Sequence, residues 1–168
     1  MIFLRKLYDN LEEYACATFV GVMIICLALQ VIMRFIFGSA LAWTEELSRF
    51  AFLWSVYVGA AYAVKKGGHV RITAQFMRLN TANRLLFRVV CDAIWLAFNI
   101  FLIVQSIEVI RDGLEFPEIS PTIGVVKAWV EMILPVGFGL MSWRLVEQYY
   151  IHWKAGTLAE LVKYEEMS

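Results

Sequence analysis

The chain has 168 residues, of which 61% are hydrophobic and 15% aromatic, and its 15 basic and 15 acidic residues cancel to a formal net charge of zero. That apolar share stands well above the roughly half-apolar usage of soluble domains; it excludes an ordinary soluble globular protein and points to an all-α integral membrane protein, while the lack of net basic charge excludes bulk nucleic-acid binding. Cys16, Cys26 and Cys91 all lie inside apolar runs without CxxC spacing, so neither a disulfide nor a metal site is expected.

Met1 to Glu13 form a short polar lead with Arg5 and Lys6. Ala15 to Met33 follow without a charge, enough to cross about 30 Å of hydrocarbon. No small-x-small cleavage site interrupts this run, so it is expected to remain as a first span at about residues 14–37. Arg34 ends it, and Gly38 and Ser39 supply a turn into a second span at about 46–65. Thr44 is placed to cap that helix, and Glu45 and Glu46 suit the positive end of its dipole. Both carboxylates are within helical reach of Arg49. Beyond them Ala51, Ser55, Gly59 and Ala63 recur every four residues, a shallow face where another helix can approach closely. With Trp43 these residues form a candidate partner interface. The alternative is that the charges only mark the membrane boundary and the small-residue face packs this protein against itself.

From Lys65 to Arg88 the chain carries Lys65, Lys66, Arg71, Arg78, Arg84 and Arg88 and no acidic residue. Ile72, Phe76 and Leu79 fall between the arginines at helical spacing, which predicts an amphipathic helix over about 70–87 whose arginines, with Trp153 further on, anchor it in the headgroup plane. The excess of basic residues in this loop over the first and third loops places it and both termini in the cytoplasm.

The third span, at about 88–108, contains Asp92, Asn99 and Ser106 seven apart, hence on one stripe. A charge in a span costs about 2.5–3.5 kcal/mol on insertion scales. Arg88, one turn earlier, is the expected partner of Asp92, in preference to a proton or ion site. The following loop is acidic, with Glu108, Asp112, Glu115 and Glu118 against Arg111, and Pro117 and Pro121 force it into an extended, turn-rich path. The fourth span, at about 125–147, has Lys127 and the intramembrane Glu131 near its start. Pro135, with Gly137 and Gly139, is expected to bend it where a neighbour closes over the gap. Trp143, Tyr149, Tyr150 and Trp153 with Arg144 and Lys154 form an interfacial belt. Thr157 and Glu160 have capping-box spacing for a tail helix at about 157–166. The whole of residues 1–168 reads as one membrane domain without internal repeats.

His69 and His152 lie at the ends of spans, whereas a four-helix haem anchor normally presents its axial histidines within the spans, which disfavours a respiratory-complex anchor. No nucleophile with a recognisable base, phosphate loop or metal-spaced cluster appears, so no enzyme activity and no cofactor are expected in this chain. The expected job is to support a larger membrane partner. Two alternatives stay open: a membrane anchor subunit of a redox complex, and a homo-oligomeric channel lined by Asp92 and Asn99.

Arg34-Phe35 before Trp43-Thr44-Glu45-Glu46 with Arg49 and Trp54, then Gly59-Ala60-Ala61, Gly68-His69-Val70 and Pro135-Val136-Gly137, on four spans, resemble the DctQ-like family, the small membrane subunit of tripartite ATP-independent periplasmic (TRAP) transporters. The resemblance covers nearly the whole chain. It implies a multi-pass protein of the bacterial inner membrane that binds a large, elevator-type membrane subunit, which holds the sodium and substrate sites, so that Na+ belongs to the partner. It also implies a periplasmic substrate-binding protein that delivers organic acids such as C4-dicarboxylates, sialic acid or other sugar acids. The small subunit would be a non-catalytic scaffold in the lipid bilayer, with no nucleic acid among its partners.

Overall fold

A computed structural model describes residues 2–67, 80–158 and 161, with the backbone alone for residues 2–9. The described residues form α1 (Ile2–Ile36), α2 (Ala42–Lys65), α3 (Thr81–Glu115), the short α4 (Lys127–Glu131) and α5 (Ile133–Ala155). Among them four stretches are long and apolar enough to cross a membrane: Asn10–Ile36, Ala42–Lys65, Thr81–Glu115 and Lys127–Ala155, the last combining α4 and α5. The expected amphipathic segment, with Arg71 and Arg78, lies outside the described residues as far as Leu79. Its remainder from Thr81 forms the first turns of α3. Of the expected tail helix only Thr157, Leu158 and Leu161 are described.

α1 packs on α2, α2 on α5, and α5 on α3. The spans therefore stand in the order α1, α2, α5, α3, with α2 and α5 inside. Of the most apolar window of each span, 33% is buried within the chain in α2 and 28% in the last span, against 6% in α1 and in α3. The outer helices turn broad apolar faces outward, with Ile25, Phe35, Ile94 and Phe101 all exposed. What α2 and α3 turn inward is largely small or polar, as membrane helices require when lipid is no less apolar than a leucine core. Thr44, Ser48, Ala51, Ser55 and Ala61 are buried on α2, and Asp92, Asn99 and Ser106 on α3. A serine hydroxyl in such a seam is satisfied by its own helix: Ser55 donates to the Phe52 carbonyl at 2.7 Å and Ser106 to that of Leu102 at 2.6 Å. Ala61, Val64, Met141 and Leu145 form the apolar centre, with Trp95 and Leu96 of α3 packed against it.

Two helix starts and breaks have local causes. Thr44 is not the cap of α2: the helix begins at Ala42 after an extended Leu41, and the buried Thr44 hydroxyl donates back to the Leu41 carbonyl at 2.7 Å. The last span breaks at Met132, between α4 and α5. Pro135 has no N–H to offer the Glu131 carbonyl four residues back, and its ring crowds that position. The neighbour that closes the gap is α2, whose Trp54 indole donates to the Val130 carbonyl at 3.0 Å.

Gly137 marks the closest approach of α5 to α2. A Cβ there would stand 2.7 Å from the Cβ of Tyr57, whereas one at Gly139 would meet nothing within 4 Å. Gly137→Ala should therefore destabilise the bundle by about 1–3 kcal/mol, since the clash is with a side-chain root that cannot rotate away. Gly139→Ala should leave stability unchanged or raise it. Thermal unfolding of the two variants in one detergent checks the contrast.

Candidate functional site

The end of the bundle that carries the N-terminus is tied by a buried ion cluster. Glu12 of α1 is 2% exposed and Arg144 of α5 is 4% exposed. The Arg144 Nε donates to Glu12 Oε1 at 2.5 Å, and a second guanidinium nitrogen reaches the same oxygen. The remaining nitrogen of Arg144 pairs with Glu147 at 2.5 Å, and Lys65 of α2 meets Glu12 Oε2 at 3.1 Å. Gln148 then donates to the Val64 and Lys65 carbonyls, at 2.7 and 3.0 Å, closing the C-terminal end of α2. Three helices thus share one network in which each carboxylate has a cation. Sequence reasoning placed Glu12 in a polar lead and Arg144 in an interfacial belt, and it missed this cluster. The available signal was that Gly137, Met141, Arg144 and Gln148 fall on one helical face, the face that meets α2.

At the opposite end Glu45 and Glu46 part company. Glu45 forms an ion pair with Arg49 on the open side of α2. Glu46 turns inward instead and gathers the 116–126 loop: its carboxylate accepts from the Ser120 and Thr122 hydroxyls and from the backbone N–H groups of Thr122 (3.2 Å) and Ile123 (3.1 Å). The loop closes on itself through an isolated bridge between Ile119 and Val126, with Ser120 N–H on the Val125 carbonyl at 2.8 Å and Lys127 N–H on that of Glu118 at 2.9 Å. The Lys127 ammonium also hydrogen-bonds Glu118 at 2.8 Å, which holds the Glu118 carboxyl below its ordinary range.

The α3 stripe serves as a docking edge for α5. Asp92 accepts the Tyr149 hydroxyl at 2.5 Å, and the Arg88 Nε stands 3.8 Å from the same carboxylate oxygen. Arg88 also donates to the Leu161 carbonyl. The expected Arg88 pair is present, but the shorter contact is Tyr149, which sequence reading had assigned to the belt. Asn99 is buried with its side-chain nitrogen unbonded by any described group.

The small-residue face of α2 receives α1 of the same chain. The Cys16 thiol points at the Ser55 carbonyl, 3.6 Å away, and a Cβ on Gly59 would lie 3.3 Å from that sulfur. Ala51 and Ser55 are buried in this seam, and Ala63 is half-buried. Trp43, Glu45, Arg49 and Trp153 are exposed, Arg84 is half-buried, and Glu131 ends α4 half-buried. Among the described residues no three His, Cys, Asp or Glu side chains converge in a metal-holding group. The arrangement supplies struts and outward faces.

Two substitutions test the struts. Arg144→Met should strand Glu12 against Lys65 alone and cost about 3–5 kcal/mol, read as a lowered unfolding temperature. Glu46→Gln should free the 116–126 loop, so that amide exchange at Thr122 and Ile123 accelerates while amides in the middle of α5 keep their protection.

Comparison with known proteins places this architecture. The family described as "Tripartite ATP-independent periplasmic transporters, DctQ component" matches residues 23–155. The isethionate TRAP transporter permease protein DctMQ of Oleidesulfovibrio alaskensis is 31% identical over 110 residues, 66% of this chain but 17% of that much longer protein. The sialic acid TRAP transporter small permease protein SiaQ of Vibrio cholerae is 28% identical over 152 residues, 88% of this chain and 84% of the relative. The C4-dicarboxylate TRAP transporter small permease protein DctQ of the same organism is 35% identical over 98 residues, 58% of this chain and 42% of the relative. The family match covers most of the four spans and the loops between them, and the chain belongs to the DctQ component family of tripartite ATP-independent periplasmic transporters.

Proposed function

We propose that this chain is the small, non-catalytic scaffold subunit of a TRAP transporter in the bacterial inner membrane, where it holds a large elevator-type permease subunit in place. The observation that carries this reading is the division of labour among its side chains. Glu12 with Arg144, and Asp92 with Tyr149, bind one helix to another, while α1 and α3 offer extended apolar flanks to their surroundings. A scaffold needs that combination, whereas a solute path needs polar groups left open to a cavity. The relative in which the matching stretch is 17% of one long permease chain supports a large membrane partner.

Solute then arrives on a periplasmic binding protein, both termini and the basic loop face the cytoplasm, and uptake is driven by sodium bound in the large subunit. The names of the relatives span isethionate, sialic acid, a C4-dicarboxylate and ectoine, all small organic solutes with a carboxylate or sulfonate group, and the solute here belongs to that broad class. Affinity purification of the chain from its native membrane in mild detergent, with mass spectrometry of what accompanies it, tests the reading. A multi-span permease at equal stoichiometry is the expected result; recovery of a soluble dehydrogenase, or of no membrane partner, would overturn it.

A further inference from the structure

We infer that the open stripe of α2, Glu45, Arg49, Phe52 and Val56, is where the large permease subunit seats a membrane helix of its own, and that this helix hydrogen-bonds the Glu45–Arg49 pair. The inference rests on the scaffold reading above and adds the surface. α2 is an inner helix of the row, yet this stripe is uncovered: the side chains of Arg49 and Glu45 are 72% and 49% exposed, and Phe52 and Val56 are 55% and 46% exposed.

Depth identifies what covers it. The Glu12–Lys65 pair fixes α1 and α2 at one level on the N-terminal side. On α1 the charges Glu12 and Glu13 are followed by none until Arg34, about 33 Å of helix from Glu12 and close to the hydrocarbon thickness, whereas from Lys65 back to Arg49 is about 24 Å. The antiparallel register agrees: Cys16 meets Ser55 and Gly59, and Phe19 meets Trp54 with ring centroids 5.4 Å apart, so Arg49 lies level with Ile24 and Ile25. The Arg49 backbone therefore sits about 9–15 Å inside the apolar band that α1 defines, the smaller figure from the Glu12–Lys65 level and the larger from the Cys16 and Phe19 register. A soluble protein does not reach that depth, and lipid tails offer no acceptor to a guanidinium that uses one of its five N–H donors on Glu45. A membrane helix with polar side chains at that level meets both the pair and the Phe52–Val56 surface below it.

The test places a photoreactive p-benzoylphenylalanine at Phe52, or as a control at Ile94 on the outer face of α3, in the full chain within native membranes. The expected adduct joins position 52, and not 94, to the large permease subunit. Arg49→Gln should lower recovery of that subunit about tenfold, because a desolvated partner group loses its donor. Its own thermal unfolding should stay near wild type, since the pair lies one turn apart on α2 and joins no two elements of the chain. An adduct from 52 to a second copy of this chain, to the soluble binding protein or to lipid alone would overturn the inference, as would normal recovery with Arg49→Gln. If the wild-type chain recovers the large subunit in those cases, the scaffold reading stands and only the surface is wrong. If the wild-type chain recovers no membrane partner, both fall.

Discussion

The structure depends on the rule that a charge taken out of water must be met by another charge. Glu12 and Arg144 lie far apart in sequence and almost fully buried, and their bond sets α1 against α5 with α2 between them. Removing either leaves the other uncompensated in a place of low dielectric. Lys65, Glu147 and Gln148 complete the network, so that the end of the row carrying the N-terminus forms one polar block. Tyr149 with Asp92 does the same on a smaller scale for α3, and Glu46 does it for the loop at the other end. Between these polar ends the helices approach through serine, alanine and glycine, because apolar bulk gains nothing by leaving lipid.

That pattern separates a scaffold from a conduit. In a conduit, ionisable groups inside the membrane stay partly open to a passing ion or proton. Here the carboxylates of the spans that reach the interior have donors from neighbouring helices, and the interior is committed to holding the row together. The two outer helices and the free stripe of α2 carry the remaining surface. Membership in a family of transporter components gives that surface its meaning, since a small subunit acts through what it touches.

The four spans were legible in the sequence because charge-free runs of that length have one stable home. The break in the last span was legible from Pro135 and its neighbouring glycines, down to the need for a neighbour, although nothing local named Trp54. The Asp92–Arg88 pair was legible as a one-turn spacing. What the sequence withheld was register between helices. Ala51, Ser55 and Gly59 announce a close approach without saying whether α1 or another protein makes it. Glu46 and Glu45 look equivalent to Arg49 until the 116–126 loop offers one of them four donors. Thr44 looked like a cap, but the extended backbone at Leu41 lets α2 begin three residues earlier. Each of these outcomes turns on which residues from distant segments arrive at the same place, and spacing along one helix does not encode it.

The most direct test of the account is solute and ion flux in proteoliposomes containing this chain alone, compared with liposomes that also contain its large membrane partner. The account predicts no flux of ions or organic acids through the chain alone, with organic-acid uptake only when the partner and the binding protein are present. Ion flux through the chain alone, abolished by Asp92→Asn, would contradict it by showing that the buried polar stripe is a path.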